Sequence, residues 1–204
     1  MAAVLTLLAA TLRRAASALG EADGSLAFAV VGGLGVSVRT EPRFTRDVDL
    51  VVAVADDRSA EALVLTLSRA GYRPFAVFEH AVGRLSTVRL IPPGGDADGV
   101  LVDLLFASCG IEAEITAASQ RLEVLPGVEL PVARLGHLLA MKLLSAAPGR
   151  PNDSADLVAL MAEADHEELQ RCARALDLIT QRGFHRGRDL QTALADLQRE
   201  CGRA

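Results

Sequence analysis

The sequence predicts an α/β (α+β) fold in which a mixed sheet flanked by helices is followed by a C-terminal helical half. The chain has 204 residues, half of them hydrophobic, which is enough to bury a full core in one compact unit. Short apolar runs bounded by Gly, Pro and Asp fill its first part, and helical periodicity begins at Leu135. We expect residues 1–133 to form the α/β core with an N-terminal helix, and residues 134–204 to form a helical region packed on it.

The N-terminal segment is predicted to be an amphipathic helix laid on the fold. Its apolar residues recur at helical spacing, at Leu5, Leu8, Leu12, Ala15, Ala16 and Leu19. No basic stretch precedes them, which argues against a signal peptide, and the segment is shorter than the ~20 apolar residues that cross a bilayer. The three cysteines form no CxxC pair. We therefore expect a reduced, cytoplasmic protein without a membrane partner.

Two strands and one helix are predicted next. Residues 26–31 are an apolar run that ends at Gly32 and Gly33, which indicates a buried strand running into a tight turn. The sequence DVDLVVAV over residues 47–54 predicts a second strand. A helix is expected over residues 59–70, opened by the preceding acids and ended by a glycine.

The remaining strands precede four helices. Apolar runs at 85–91 and 100–106 flank the reversal PPGGDADG and predict an antiparallel pair. A short two-stranded ribbon is predicted from residues 122–125 and 128–132, which flank Pro126 and Gly127. We expect the helix from Leu135 to be closed by Pro148 and Gly149, a second to begin near Asn152 and Asp153, and two more to reach the C-terminus.

Three acids form the first candidate site. Side chains alternate along a strand, so Asp47 and Asp49 point to one face. Asp103 lies inside an apolar run, where an uncompensated carboxylate is costly. If the strands are neighbours, the acids meet, and a divalent cation removes their repulsion. The alternatives are that Asp47 ends a turn and that Asp103 pairs with Arg89 across a hairpin.

This acidic pattern suits phosphoryl transfer with bound metal. One cation lowers the pKa of an attacking hydroxyl, and another clamps a triphosphate and stabilises the leaving pyrophosphate. Gly32 and Gly33 would let backbone N–H groups approach the phosphates, although a Gly-Gly pair is also an ordinary turn.

Lys142 is the second candidate. It is the single lysine among 21 Lys and Arg residues and lies in an otherwise apolar helix. Its ammonium is predicted to point at phosphates as a compact charge, and the alternative is that its stem covers apolar surface while the amine reaches water. Asp153 is predicted to cap its helix, and Asp156, three residues later, is the acid that such a helix N-terminus favours.

Charge and composition limit the partners. The net charge of −5 means that the whole surface will not attract nucleic acid, so a polyanionic partner needs a local basic patch. The four histidines share no ligand spacing, so we expect surface or capping roles and no metal at His80, His137, His166 and His185.

The stretch VGGLGVSVRTEPRFTRDVDLVV, together with Asp103, resembles the nucleotidyltransferase superfamily, and it looks closest to the AbiEii/MenT-like branch found among toxins of toxin-antitoxin systems. LPVARLGHLLAMKLLSAAPGRPNDSADLVAL resembles that branch's helical motif, in which a lysine is followed by an arginine and a D-x-x-D pair. The resemblance covers most of residues 26–162. It departs in Gly33, where many members carry Ser, and in a longer interval before the DxD motif.

The resemblance implies roles for individual residues. It makes the three acids Asp47, Asp49 and Asp103 the ligands of Mg²⁺ or Mn²⁺. It also makes Asp103 the acid that lies nearest the attacking hydroxyl. It further implies that the nucleoside triphosphate substrate is contacted at the positions Gly32, Gly33 and Lys142. In the family's motif, Asp156 would orient Lys142 or Arg150 in addition to its place at the helix N-terminus. The insertion EPRFTR adds two arginines; Arg46 either assists triphosphate binding or caps the strand.

The resemblance also implies a nucleotidyltransferase-type sheet and an activity. We expect transfer of a nucleotidyl group to an acceptor hydroxyl, at a tRNA 3′ end or on a protein side chain, by a toxin with a cognate antitoxin. The alternatives are a catalytically inactive binding or regulatory protein of the same fold, and a drug-modifying nucleotidyltransferase. Neither the acceptor nor the preferred base follows from the sequence.

Overall fold

A seven-stranded mixed sheet forms the centre of the computed structural model. The structure describes residues 2–43, 45–80, 83–146 and 151–203. The strands are β1 Phe28–Val30, β2 Val48–Val52, β3 Arg73–Glu79, β4 Leu85–Ile91, β5 Val102–Leu105, β6 Gln120–Leu125 and β7 Val128–Val132. Their order across the sheet is β3-β4-β5-β2-β1-β7-β6. The pairs β2/β5 and β1/β7 are parallel, and the other neighbours are antiparallel.

The helices lie before, between and after the strands. They are α1 Ala2–Ala22, α2 Gly32–Arg39, α3 Asp57–Arg69, α4 Glu112–Ala117, α5 Leu135–Ser145, α6 Pro151–Glu163, α7 His166–Gln181 and α8 Leu190–Glu200. The predicted fold class is therefore confirmed, with a mixed sheet followed by four consecutive helices. None of the helices in the described ranges combines the length and apolar character that crossing a bilayer requires.

Two hydrophobic clusters lie on opposite faces of the sheet, because neighbouring residues of β1 and β2 alternate between them. Val30 and Leu50 belong to the cluster that includes α1 and α3. Ala29 and Val51 belong to the cluster formed mainly by α5, α6, α7 and α8. Asp49 shares the face of Val51, so the C-terminal helices cover the side of the sheet on which the acid lies.

The N-terminal helix is confirmed, and its buried stripe is shorter than predicted. Leu8, Leu12, Ala15 and Leu19 are buried, whereas Leu5 is 47% exposed. The helix α3 also begins as expected, because the carboxylate of Asp56 accepts a hydrogen bond from the backbone N–H of Ser59 at 2.8 Å and so caps it.

The prediction of a tight turn at the two glycines was wrong, because the helix α2 starts at Gly32. Glycine has a low helix propensity, so the local sequence disfavours a helix here. The helix forms because Leu34 and Val36 are buried, and their packing stabilises it. Strand β3 and helix α4 also have no counterpart among the predicted elements. The predicted helix end at Pro148 and Gly149 lies outside the described residues, as does Arg150.

Candidate active site

Two of the predicted acids lie side by side at the centre of the sheet. Asp49 on β2 is paired in register with Asp103 on the parallel strand β5. Residues paired in this way on adjacent strands project from the same face of the sheet. Asp47 immediately precedes β2, two residues before Asp49. Three carboxylates are thereby assembled from the two neighbouring strands.

The carboxyl group of Asp49 lies in an electrostatic conflict that nearby cations relieve only in part. Burial, together with the negative charges of Asp103 and Asp47, raises its pKa to about 6, although Lys142 and Arg89 act in the opposite direction. The Asp49 carboxylate makes no hydrogen bond or ion pair with a described residue. A divalent cation is the kind of group that such a partnerless, crowded carboxylate accommodates.

Asp103 has a partner, which was the alternative drawn from the sequence. The residue is 7% exposed, and Arg89 on β4 donates to both of its oxygens, from Nε to Oδ1 at 2.7 Å and from Nη2 to Oδ2 at 2.6 Å. Each carboxylate oxygen retains a further lone pair, so this contact leaves room for another donor or a cation. Within the described ranges, no three His, Cys, Asp or Glu side chains form a preassembled metal-binding group.

The backbone of α2 lies against the acids. Gly32 has a φ of +57°, and a Cβ atom there would lie 1.9 Å from Oδ2 of Asp49. Only glycine permits both this conformation and this approach. A Cβ atom on Gly33 would lie 2.6 Å from Oγ1 of Thr45. The N-terminus of a helix, with its exposed N–H groups and positive dipole, is consequently presented next to the carboxylates.

Lys142 belongs to an ion-pair cluster between α5 and α6. Its Nζ lies 2.7 Å from Oδ1 of Asp153 and 2.7 Å from Oδ2 of Asp156. Asp156 is 1% exposed and also accepts hydrogen bonds from Nε of Arg43 at 2.5 Å and from Nη2 at 2.7 Å. Burial opposes ionisation of Asp156, yet the hydrogen bonds from Arg43 and Lys142 hold its pKa below the ordinary value.

The cluster differs from the sequence-based expectation in two respects. The predicted capping role of Asp153 did not include the contact with Lys142 that the structure shows. Arg43, which the prediction did not single out, holds Asp156 together with Lys142. The only feature of the sequence that could have indicated Arg43 was its position in the insertion EPRFTR, which also contains Arg46.

A cavity of about 420 Å³ joins these groups. Its lining includes Gly32, Gly33, Arg43, Thr45, Asp47, Asp49, Lys142, Asp153 and Arg186. The exposed residue Arg46 is not part of this lining, and its contact with a nucleotide stays a prediction. The volume is in the range of small-ligand sites.

A second cavity of about 720 Å³ adjoins the first on the side of Asp103. It is lined by Asp49, Phe78, Glu79, His80, Ser86, Thr87, Asp103, Leu105, Gly183, His185, Arg186 and Gly187. The rings of His80 and Phe184 are in contact, with centroids 4.6 Å apart. Asp49 lines both cavities, which places the acids between two open volumes.

The prediction that all histidines have surface or capping roles was wrong for His137. This residue lies in α5 and is only 6% exposed. Burial, reinforced by the positive charge of Arg171, lowers its pKa to about 4. His137 is therefore a neutral core residue at ordinary pH.

Comparison with known proteins identifies a family. A family model described as "Nucleotidyl transferase AbiEii toxin, Type IV TA system" matches residues 14–200. No curated protein sequence matches the chain.

Two solved structures are similar to this chain at low sequence identity. The antibiotic-resistance factor ANT(2'')-Ia is similar with a TM-score of 0.50 and 16% identity, over 97% of this chain and 94% of that one. An antigenic nucleotidyltransferase-like protein from Paracoccidioides brasiliensis has a TM-score of 0.49 and 20% identity, over 94% and 92% of the two chains. Because the family model spans nearly the whole sequence, the chain is a nucleotidyltransferase and belongs to the AbiEii nucleotidyl transferase toxin family.

Proposed function

We propose that this protein transfers a nucleotidyl group from a nucleoside triphosphate to an acceptor hydroxyl in the cytoplasm, with Mg²⁺ or Mn²⁺ bound. The acceptor is a tRNA 3′ end or a protein side chain, and the protein acts as the toxin of a pair with a cognate antitoxin. The observation that carries the proposal is the Asp49 carboxylate. Burial and the charges of Asp103 and Asp47 raise its pKa to about 6, and it makes no hydrogen bond or ion pair with any residue that the structure describes.

The donor set fits a hard cation. We infer that Asp47 and Asp49 hold it, with Asp103 as a third ligand that keeps its contact with Arg89. When bound, a divalent cation offsets the charge of the triphosphate and of the leaving pyrophosphate. Arg89 compensates the charge of Asp103, but the Asp49 carboxylate lies close to the other two acids and makes no hydrogen bond or ion pair with a described residue. This arrangement favours metal binding over a purely structural role for the acids.

The first cavity suits the triphosphate. The N-terminus of α2 at Gly32 and Gly33 offers backbone N–H groups to an anion without a Cβ atom in the way. Lys142 also lines this cavity and supplies a positive charge, and Asp156 holds it in place through the 2.7 Å contact. Arg43 shares this carboxylate, so one buried acid positions two cations at the cavity.

The second cavity suits the acceptor. Its hydroxyl oxygen, next to Asp103, forms a bond to the α-phosphorus while the bond from that phosphorus to the bridging oxygen of pyrophosphate breaks. The electron pair leaves with pyrophosphate, and the hydroxyl proton passes to the Asp103 carboxylate. In-line displacement requires the attacking and leaving oxygens to lie on opposite sides of the phosphorus, and we expect a nucleotide in the first cavity and an acceptor in the second to meet this requirement.

The test uses each of the four NTPs labelled at the α-phosphate, with Mg²⁺, and offers unfractionated tRNA or cell protein as the acceptor. We expect label in one acceptor with the wild type and none with Asp49→Ala, whereas Glu61→Ala on the exposed face of α3 stays active. Labelling that survives in Asp49→Ala would remove the proposed catalytic role of the acids.

The same assay separates the rival functions. Binding of NTP without any transfer would identify an inactive binding protein. Label transferred to an antibiotic, with a resistance phenotype on expression, would identify a drug-modifying enzyme. Growth arrest on expression of the wild type, absent with Asp49→Ala, is the result expected of a toxin.

A further inference from the structure

The two cavities at the acids share a small part of their lining. The residues common to both are Asp49, Ser86, Thr87, Leu105 and Arg186. In the part of the chain that the structure describes, Arg186 is the only cationic residue of this shared wall. It comes from the C-terminal helical region and lies far from every motif identified in the sequence.

Arg186 is held in an unusual conformation. Its φ is +54°, and it is the only residue other than glycine with a positive φ among those described. Such a conformation is disfavoured for a side chain with a Cβ atom and is often found where function requires it. Gly183 and Gly187, with φ values of +80° and +71°, lie on either side and shape the loop between α7 and α8.

The loop is attached to the strand that carries Asp103. Nη2 of Arg186 donates to the carbonyl oxygen of Ser108, just beyond the end of β5, at 3.0 Å. The backbone N–H of Ser108 in turn donates to the buried Glu112 at 2.7 Å. Arg186 forms no ion pair with a carboxylate of the described residues. Its guanidinium is thus held by Ser108 in the wall that both cavities share with Asp49, and no carboxylate of the described residues neutralises it.

The proposed reaction requires the transferred α-phosphate to lie where the two cavities meet. The α-phosphate belongs to the nucleotide in the first cavity and is attacked by the acceptor from the second. We propose that Arg186 contacts the non-bridging oxygens of this transferred phosphate, as a catalytic residue supplied by the helical region. This inference rests on the proposed nucleotidyl transfer. An arginine at this position offsets the charge on the phosphate as the bond to pyrophosphate breaks.

The test uses substitutions that separate the charge from the backbone. Arg186→Gly removes the guanidinium and retains a residue that accepts a positive φ, so the loop is expected to keep its shape. Arg186→Lys retains a positive charge. Arg182→Gln is the matched control, because Arg182 precedes the same loop, pairs with Glu114 and lines neither cavity.

The readout is calorimetric binding of two probes with Mg²⁺, namely the α,β-methylene analogues of the four NTPs and inorganic pyrophosphate, which lacks the α-phosphate. For Arg186→Gly we expect the analogue to bind about tenfold or more weakly, as for loss of a hydrogen bond to a charged group. Pyrophosphate binding should be unchanged. Arg186→Lys and Arg182→Gln should keep both affinities within about threefold.

The outcomes distinguish the two proposals. Equal weakening of both probes in Arg186→Gly, or no weakening of either, would overturn the role of Arg186 and leave nucleotidyl transfer standing. A wild-type protein that binds neither probe would overturn the proposed function and this inference together. A melting temperature of Arg186→Gly close to that of the wild type confirms that the variant is folded when its affinities are compared.

Discussion

Replacing Asp49 with asparagine should stabilise the metal-free protein while it abolishes activity. The half-buried carboxylate is desolvated and lies among like charges, so its ionised form is disfavoured in the folded state. An acid whose pKa is higher in the folded than in the unfolded protein destabilises the fold fully above its folded-state pKa. Below its unfolded-state pKa it has no such effect. The advantage of Asp49→Asn is therefore expected at about pH 7.5 and should vanish near pH 4.

The magnitude follows from the shift in pKa. The value rises from 3.8 to about 6, and each unit corresponds to roughly 1.4 kcal/mol, which gives about 3 kcal/mol. The asparagine amide still has to be desolvated without a partner, so a net gain of about 1–2 kcal/mol is expected. For a chain of this length, that gain raises the melting temperature by roughly 2–8 °C.

The assay is thermal unfolding of the wild type and Asp49→Asn in chelator, at the two pH values, and again with Mg²⁺. Comparing variants at one pH cancels the opposite pH effect of His137, whose lowered pKa destabilises the folded state as the pH falls below 6.5. Mg²⁺ should stabilise the wild type only. Glu61→Gln serves as the control for removal of an exposed acid. An unchanged or lower melting temperature for Asp49→Asn at both pH values would refute the argument.

Three other substitutions or treatments test the site and its packing. Gly32→Ala should abolish activity and cost about 1–2 kcal/mol of stability in unfolding experiments, because φ is positive and the new Cβ displaces Asp49. Lys142→Met should destabilise the fold by about 3 kcal/mol, since it leaves Asp156 buried with one cation fewer, and should weaken NTP binding in calorimetry. Iodoacetamide should label Cys201 in the native protein and spare the two buried cysteines, whose thiol pKa values burial raises; mass spectrometry reads the result.

Much of the fold was predictable because its elements have strong local signals. The apolar runs that became β2, β4 and β5 are bounded by turn residues, and the C-terminal helices have regular periodicity. Strand β3 carries Pro74 and is largely exposed at the edge of the sheet, so it lacks the alternation that marks a strand. Helix α2 forms through packing of Leu34 and Val36, which its glycine-rich sequence does not reveal.

The sequence by itself determined which residues are the candidates for the chemistry, because an acid inside an apolar strand and a solitary lysine in an apolar helix are costly to bury without a partner. Only the tertiary structure decided their partners. Contacts such as Arg89 with Asp103, Arg43 with Asp156 and Arg186 with Ser108 join residues distant in the chain. Such pairings depend on strand register and helix packing, which no local pattern specifies.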